Sequence, residues 1–266
     1  MEVSGFFPSS SFAKVGQRPA NKWRLPCAGN GAITCTNMKS SDEEDTGGMQ
    51  TDWRSLRARL VAAEQSSLVT SNPPHTISTT NNKWAHTLHA PEKGCLLVAT
   101  HSLDGVHIFE RTVILILTLI PTPTGIILNR PSLMSIKEAN STSIASANLF
   151  SEQPLLFGGP VDSEVFLVSS KKPGVVGVFD EVMNGVYYGG RESVGCAAEL
   201  VRRDAIDLKE LKFFDGCCQW EDRQLGDEIA SGCWNVVACG AGVVERCVGR
   251  EKTWEKLMRI VGQRKS

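Results

Sequence analysis

Residues 154–168 read PLLFGGPVDSEVFLV, two apolar runs, Pro154–Phe157 and Val165–Val168, on either side of Gly158-Gly159-Pro160. The fold turns on what lies between the runs. A phosphate-binding loop needs successive backbone N–H groups converging at a helix N-terminus, in the order strand, G-x-x-x-x-G-K-[ST], helix. Pro160 removes one of those donors, no Lys or Ser/Thr follows at the required spacing, and the next element is another apolar strand. The stretch therefore reads as a turn. Gly158 and Gly159 reach backbone angles closed to other residues, and Pro160 stiffens the exit. Two strands joined so closely are expected to pair antiparallel.

Short apolar runs recur on both sides of this stretch: 95–99 (CLLVA), 113–117 (VILIL), 125–128 (GIIL) and 234–239 (WNVVAC). None alternates strictly between apolar and polar, so they read as strands covered on both faces. Residues 118–125 (TLIPTPTG) are too few for a crossover helix, which predicts an antiparallel pair from the strands at 113 and 125. A doubly wound parallel sheet, whose crossovers take about a dozen residues or more, is disfavoured. The covering helices are expected at Cys196–Arg203, at Asp222–Ala230 with Gly232 in the C-terminal capping position, and at Thr253–Val261, where Trp254, Leu257, Met258 and Val261 share one side. The fold class is α/β of the α+β type, a mixed sheet with antiparallel hairpins covered by helices.

Toward the N-terminus the character changes. Residues 1–40 carry Lys14, Arg18, Lys22, Arg24 and Lys39 against the single acid Glu2, with Ser9-Ser10-Ser11 and no compact apolar core. A secretory signal is excluded on that ground, and the composition is that of an organelle transit peptide. A plain disordered N-terminus is the other reading. With the acidic spacer SDEEDTGG, this gives a leader over 1–48. An amphipathic helix follows over 49–66, with Trp53, Leu56, Leu60 and Ala63 on one face and Arg54, Arg57 and Arg59 interleaved as a solvated basic face. Residues 67–93, rich in Ser, Thr, Asn and Pro, read as a linker, and the folded domain as 94–266.

In a chain of 266 residues, 41% apolar side chains suffice for an ordinary globular core. Lys and Arg number 28 against 29 Asp and Glu, a formal charge of −1, so no global basic field marks the chain for nucleic acid. The longest unbroken apolar run, Val113–Leu117, is far short of the ~20 residues of a membrane helix, and no transmembrane segment is expected. Nine cysteines form no C-x-x-C pair and lie mostly in apolar stretches, which argues for reduced, buried thiols and against a zinc or iron–sulfur framework.

Four segments, GCLLVATHSLDGVHIFERTVILIL (94–117), TGIILNRP (124–131), LLFGGPV (155–161) and QWEDRQLGDEIASGCW (219–234), stand in an order and at separations that resemble the signature segments of the YqgE/AlgH-like family. The resemblance implies a compact α/β fold with a bifurcated sheet, covered by helices in a layered sandwich, and the plastid location of the plant members. One bacterial branch is described as regulating exopolysaccharide synthesis, and the resemblance brings no settled mechanism and no established catalytic set. Two departures stand out. The family pattern has Pro-Gly where this chain has Asp222-Arg223, at the entry to a helix, and the 118–125 loop lacks the polar, Gly-bearing character of the family.

Five histidines raise the question of a metal, with His86-x-x-His89 followed by Cys95, His101 and His107. Pro91 and Gly94 interrupt any helix there, no H-E-x-x-H is present, and no metal or other cofactor is expected. No G-x-S-x-G elbow marks a hydrolase, and no catalytic residue is assigned. The vicinal pair Cys217-Cys218 keeps a thiol redox or electron-carrier role open, although without C-x-x-C geometry burial is the simpler account.

Asn129 and Arg130, at the end of a strand and before Pro131, are the candidate contacts for a small anionic ligand, with Arg111 beside them. The structural alternative pairs Arg130 with Asp104 or Glu110. Trp220, Gln224 and Trp234 read as packing anchors and Gly158, Gly159 and Pro160 as the turn. The functional expectation is a soluble plastid (stromal) protein without catalytic activity, a binding or regulatory module acting through protein contacts. An anion-binding protein or enzyme using Asn129 and Arg130 is the first alternative, and a thiol carrier the second.

Overall fold

The computed structural model describes residues 53–67, 83–131, 134–138, 148–173, 177–221 and 223–262. The predicted leader over 1–48 lies outside them, as does most of the predicted linker. In chain order the elements are helix α1 (Trp53–Ser67), β1 (Ala85–Leu88), β2 (Leu96–Ala99), β3 (Val113–Thr118), β4 (Thr124–Ile127), β5 (Leu155–Phe157), β6 (Val161–Ser169), β7 (Asp180–Met183) and β8 (Val186–Gly189). They continue with α2 (Ser193–Arg202), β9 (Leu211–Gln219), α3 (Gln224–Ala230), β10 (Trp234–Cys239), α4 (Ala241–Cys247) and α5 (Thr253–Gly262). The result is a mixed helix and sheet fold in which all strand pairs but one are antiparallel.

The strands form one sheet in the order β1-β10-β2-β3-β4-β9-β6-β8-β7. The pair expected from the 118–125 loop is present, with Ile114 opposite Ile127 and Leu115 opposite Ile126. The hairpin expected around Gly158 is not. Strand β5 runs parallel to β9, Leu155 opposite Phe213, while β6 runs antiparallel along the other edge of β9, Leu167 opposite the same Phe213. One edge of β9 thus carries β5 at 213–215 and β4 at 218–219, so the sheet forks there.

Gly158 stands in that fork, its N–H donating to Asp215 O (2.7 Å) and its carbonyl accepting from Ile127 N (2.8 Å). The chain then passes from one edge of β9 to the other at Gly159-Pro160, directly against the β9 backbone. A Cβ built on Gly159 would lie 2.2 Å from the Cys217 carbonyl carbon, and one on Gly216 would lie 2.4 Å from the Gly159 carbonyl oxygen. Gly216 also has φ +70°, in the left-handed region. The glycines make a backbone crossing, a more demanding device than the turn expected from sequence.

Burial on both faces explains why the strands lack alternation. Leu96, Val98, Val113 and Leu115 face α4 and α5 through Val243, Val244, Trp254 and Leu257. Leu97, Ala99, Ile114 and Ile116 face Leu103, Trp220, Leu225 and Trp234 on the opposite side. Strand β6 divides likewise, with Phe166 and Val168 joining the first cluster while Val165 and Leu167 pack on α2 with Ala197, Ala198 and Phe213.

One boundary and one helix face differ from expectation. Strand β1 lies within the predicted linker and pairs along β10, so the folded body begins before residue 94. Helix α1 presents the opposite face from the one its apolar spacing suggests. Trp53 (64% exposed) and Leu60 (53%) point outward and Ala58 packs on Trp84 and Ala238. The predicted solvated arginines hold the helix down: Arg57 forks onto Glu92 (2.9 and 2.6 Å), and Arg54 donates to the carbonyls of Lys93 (2.6 Å) and Gly94 (3.0 Å). A bidentate guanidinium–carboxylate pair outweighs the apolar stripe of a helix too short to bury much area.

Candidate functional site

The three residues expected to hold an anion meet at one corner, where the side chains of Asn129 and Arg130 are committed to the backbone and that of Arg111 to a ring. Asn129, 1% exposed, accepts from Val113 N (2.8 Å) through Oδ1 and donates Nδ2–H to the Arg111 carbonyl (2.9 Å), extending the β3–β4 ladder with a side chain. The Arg130 guanidinium donates to the carbonyls of Glu110 (2.7 Å) and His107 (3.3 Å) rather than to the carboxylates of Asp104 or Glu110. Arg111 lies over the Trp254 ring, 5.6 Å from its centroid, with Nε 3.9 Å from Glu110 Oε1. The corner ties the 101–112 loop to the end of β4.

Trp220, Gln224 and Trp234 converge on a residue that sequence reasoning passed over. The carboxylate of Glu228 accepts the indole N–H of Trp220 (2.9 Å) and of Trp234 (2.7 Å), and the amide N–H of Gln224 (2.9 Å). Two indoles otherwise obliged to bury a donor are satisfied by one charge, which anchors α3 against β10. The i, i+4 spacing of Gln224 and Glu228, with tryptophans on both sides, is the signal that would have disclosed it.

The thiol pair does not form a site. Cys217 and Cys218 are buried on opposite faces of β9, Cys217 in the core under α4 and α5 and Cys218 in the one under α3, as alternate strand positions require. Burial pushes the Cys218 thiol well up, away from the reactive thiolate. The histidines likewise stay apart: His86 stacks on Trp84 (5.5 Å), and His101 pairs with Asp104 (3.0 Å) at the surface. Among the described residues no group of three or more His, Cys, Asp or Glu side chains could hold a metal ion. No helix among them is long and apolar enough to cross a membrane.

A concave feature lies beyond the Asn129 corner. A cleft of about 810 Å³ opens between α4, α5 and the start of β1, with Pro131 forming part of its wall. The Gly249 N–H donates to the Leu128 carbonyl (2.8 Å), which joins the α4–α5 turn to the end of β4 and sets that wall. Ala85, Val243, Cys247, Leu257 and Ile260 supply apolar lining. Lys83, Arg246, Arg250, Lys252 and Lys256 stand around it with one carboxylate, Glu251. Lys83, Arg250, Lys252 and Lys256 have no carboxylate partner within ion-pair distance among the described residues. Arg246 gives its Nε–H to the Gly242 carbonyl (2.9 Å), which orients the guanidinium. Cys247 lines the cleft, and burial, only partly offset by Thr253 and Arg246, pushes its thiol up to about 11.

A second cleft of about 350 Å³, between Thr118 and Thr124 on one side and Asp180, Tyr188 and Glu192 on the other, has the reverse character, two carboxylates and no cation in its lining. Burial and the Asp180 charge raise the Tyr188 phenol. Of these two clefts in an almost neutral chain, the α4–α5 one gathers positive charge and the other negative.

Comparison with known proteins agrees with this architecture. A family model described as AlgH-like matches residues 96–266. A UPF0301 protein of Chlorobium luteolum is 30% identical over 172 residues, 64% of this chain and 85% of that protein. A UPF0301 protein of Corynebacterium glutamicum is 28% identical over 180 residues, 62% of this chain and 86% of that protein. Among solved structures, a Corynebacterium diphtheriae protein superposes with a TM-score of 0.50 at 24% identity, covering 64% of this chain and 87% of that one. The solution structure of the AlgH protein of Pseudomonas aeruginosa superposes with a TM-score of 0.50 at 15% identity, covering 66% and 92%. Both structural matches speak to fold.

Proposed function

The chain belongs to the AlgH-like family, and on that premise we propose that it is a non-catalytic binding module of the plastid whose ligand is an anion taken into the α4–α5 cleft. One observation carries the reading: five cationic side chains and a single carboxylate surround a cleft of about 810 Å³ in a chain whose formal charge is −1. Like charges gathered around one concavity repel one another and are offset by an anionic occupant, whose local concentration they raise. The volume is within the ~300–1,000 Å³ typical of ligand clefts.

The other candidate residues argue in the same direction. Asn129 and Arg130 are bonded to backbone, and Cys217 and Cys218 are buried. Pro131 borders the cleft, so the anionic ligand expected at the end of β4 is here assigned to the adjoining wall. Regulation through protein contacts has no surface feature as specific behind it among the described residues.

Thermal unfolding with a panel of organic anions tests the reading. At an anion concentration about 100-fold above Kd the stabilisation is ~2.7 kcal/mol, which raises Tm by roughly 5–10 °C for a chain of this size. The double variant Lys252→Glu, Lys256→Glu should fold and lose that rise, and an equal rise in both proteins would refute the assignment. The plastid location rests on the composition of residues 1–48 and is tested separately. Fused to a fluorescent protein in leaf protoplasts, that segment should deliver it to the stroma, and a cytosolic signal would count against it.

A further inference from the structure

We infer that the anion held by the α4–α5 cleft is a single-chain amphiphile with a phosphate head, an inference that rests on the binding function proposed above. The cleft has two chemically distinct parts. Its inner lining comes from Val243, Cys247 and Leu257, only 7%, 1% and 3% exposed, with half-buried Ala85 and Ile260 beside them. Its cations, Lys83, Arg246, Arg250, Lys252 and Lys256, are all exposed. A small hydrophilic anion would use the second part and leave Ala85 and Ile260, the half-buried edge of the first, wet. A ligand with an apolar chain and a charged end uses both, because burial of the chain is favourable in proportion to its area.

The same division argues against larger partners. Proteins that grip single-stranded nucleic acid interleave cations with aromatic platforms, and no aromatic side chain lines this cleft. A helix that lies on a bilayer projects large apolar side chains between its cations. Here Val243 and Leu257 are recessed, which suits enclosure of a chain detached from a bilayer.

Head chemistry follows from the charge count. Five cations against Glu251 leave an excess of four positive charges, more than a single carboxylate would neutralise. A phosphate monoester carries about −1.5 to −2 at neutral pH and offers three acceptor oxygens. Arg246 and Arg250 can engage them with forked N–H pairs, and Lys252 and Lys256 as point charges.

Titration calorimetry of the full chain with butyl, octyl and dodecyl phosphate, each below its micelle concentration, reads the chain and the head separately. Affinity should rise by about twofold to fourfold per added methylene from butyl to octyl. Dodecyl phosphate should bind at least tenfold more tightly than dodecanoate. Lys252→Glu, Lys256→Glu should weaken dodecyl phosphate at least tenfold, and the chain-length series on the unmodified protein needs no variant at all.

Equal affinity for butyl and dodecyl phosphate would overturn the amphiphile and leave the anion-binding function standing. Failure of every anion would overturn both. Equal binding of dodecanoate and dodecyl phosphate would overturn the phosphate head. Two controls cover the other partners: co-sedimentation with phosphatidylcholine vesicles containing phosphatidate, and binding of a single-stranded oligonucleotide. Rim-dependent binding to either, with no uptake of monomeric dodecyl phosphate, would replace the enclosed chain by a bilayer surface or a nucleic acid.

Discussion

A methyl group on Gly159 would stand 2.2 Å from the carbonyl carbon of Cys217 and 2.7 Å from the nitrogen of Cys218, and all of these atoms are backbone. Nothing there can rotate aside, so Gly159→Ala must push the crossing chain off β9. We expect a loss of about 4 kcal/mol, at the severe end for a single substitution, measured by denaturant unfolding. Arg223 is the opposite case. It holds φ +64° as the residue before α3, at the position where the family pattern has glycine and this chain has Asp222-Arg223. A non-glycine residue pays roughly 1–2 kcal/mol for that conformation, so Arg223→Gly should stabilise the protein, by about 0.5–1 kcal/mol after the added freedom of its unfolded chain. A destabilised Arg223→Gly variant would show that the arginine side chain has a role beyond its strained backbone. The need for glycine at 158 and 159 was legible in the sequence. Its reason was not, because Gly216, the other half of the crossing, stands more than fifty positions further on.

Among the elements, the apolar runs at 95–99, 113–117, 125–128 and 234–239 all became strands, because burial on both faces leaves a continuous signal. The strands missed by sequence reading were β1 (AHTL), β7 (DEVM), β8 (VYYG) and β9 (LKFFDGCCQ), short or interrupted by polar and glycine positions. Their order in the sheet depends on partners far away in the chain, β1 on β10 and β5 on β9. Helix α1 was found by its period and docked wrongly by its apolar face, since the ion pair with Glu92 lies outside any local pattern. That ion pair has a pH signature. Burial tends to raise the Glu92 carboxyl, but the hydrogen bond from Arg57 and the charge of Arg54 outweigh it and hold the group below its ordinary value of 4.5. A carboxyl lowered by folding contributes stability that is fully present above its unfolded value and is lost as pH falls through the lower, folded value. Helix α1 should therefore loosen below about pH 4.5 while the sheet persists. Hydrogen exchange over 53–67 reads this directly, and Glu92→Gln should bring the same loosening to neutral pH. Protection of α1 that is unchanged by acid and by that substitution would mean that Ala58 on Trp84 and the Arg54 bonds to the Lys93 and Gly94 carbonyls suffice to hold the helix.

At the scale of the whole molecule, the cleft was hidden because its walls come from residues 83–85, 131 and 243–260, brought together only by the β1–β10 pairing and the Gly249–Leu128 hydrogen bond. Even its local part, the cations at 246, 250, 252 and 256, is interleaved with Glu245, Glu251 and Glu255 and makes no charge run in the sequence. Strand β9 does the same integrating work for stability. It is paired to β4 and β5 on one edge and to β6 on the other, and Phe214, fully buried at its centre, shares a cluster with Leu96 and Val113 of one half and with Phe166, Val182 and Val186 of the other. Neither half can keep its core without the other, so the two should unfold together. The probes for this are built in: both tyrosines, Tyr187 and Tyr188, belong to β8, while Trp84, Trp220, Trp234 and Trp254 lie in the half around β10 and α5. In urea, tyrosine absorbance and tryptophan fluorescence should give coincident transitions. Phe214→Ala, which opens a cavity in the shared cluster, should cost about 3–5 kcal/mol and move both midpoints down by the same amount. Midpoints that separate in that variant, with the tyrosine signal lost first, would show that the half bearing α4, α5 and the cleft folds independently of β6, β7 and β8.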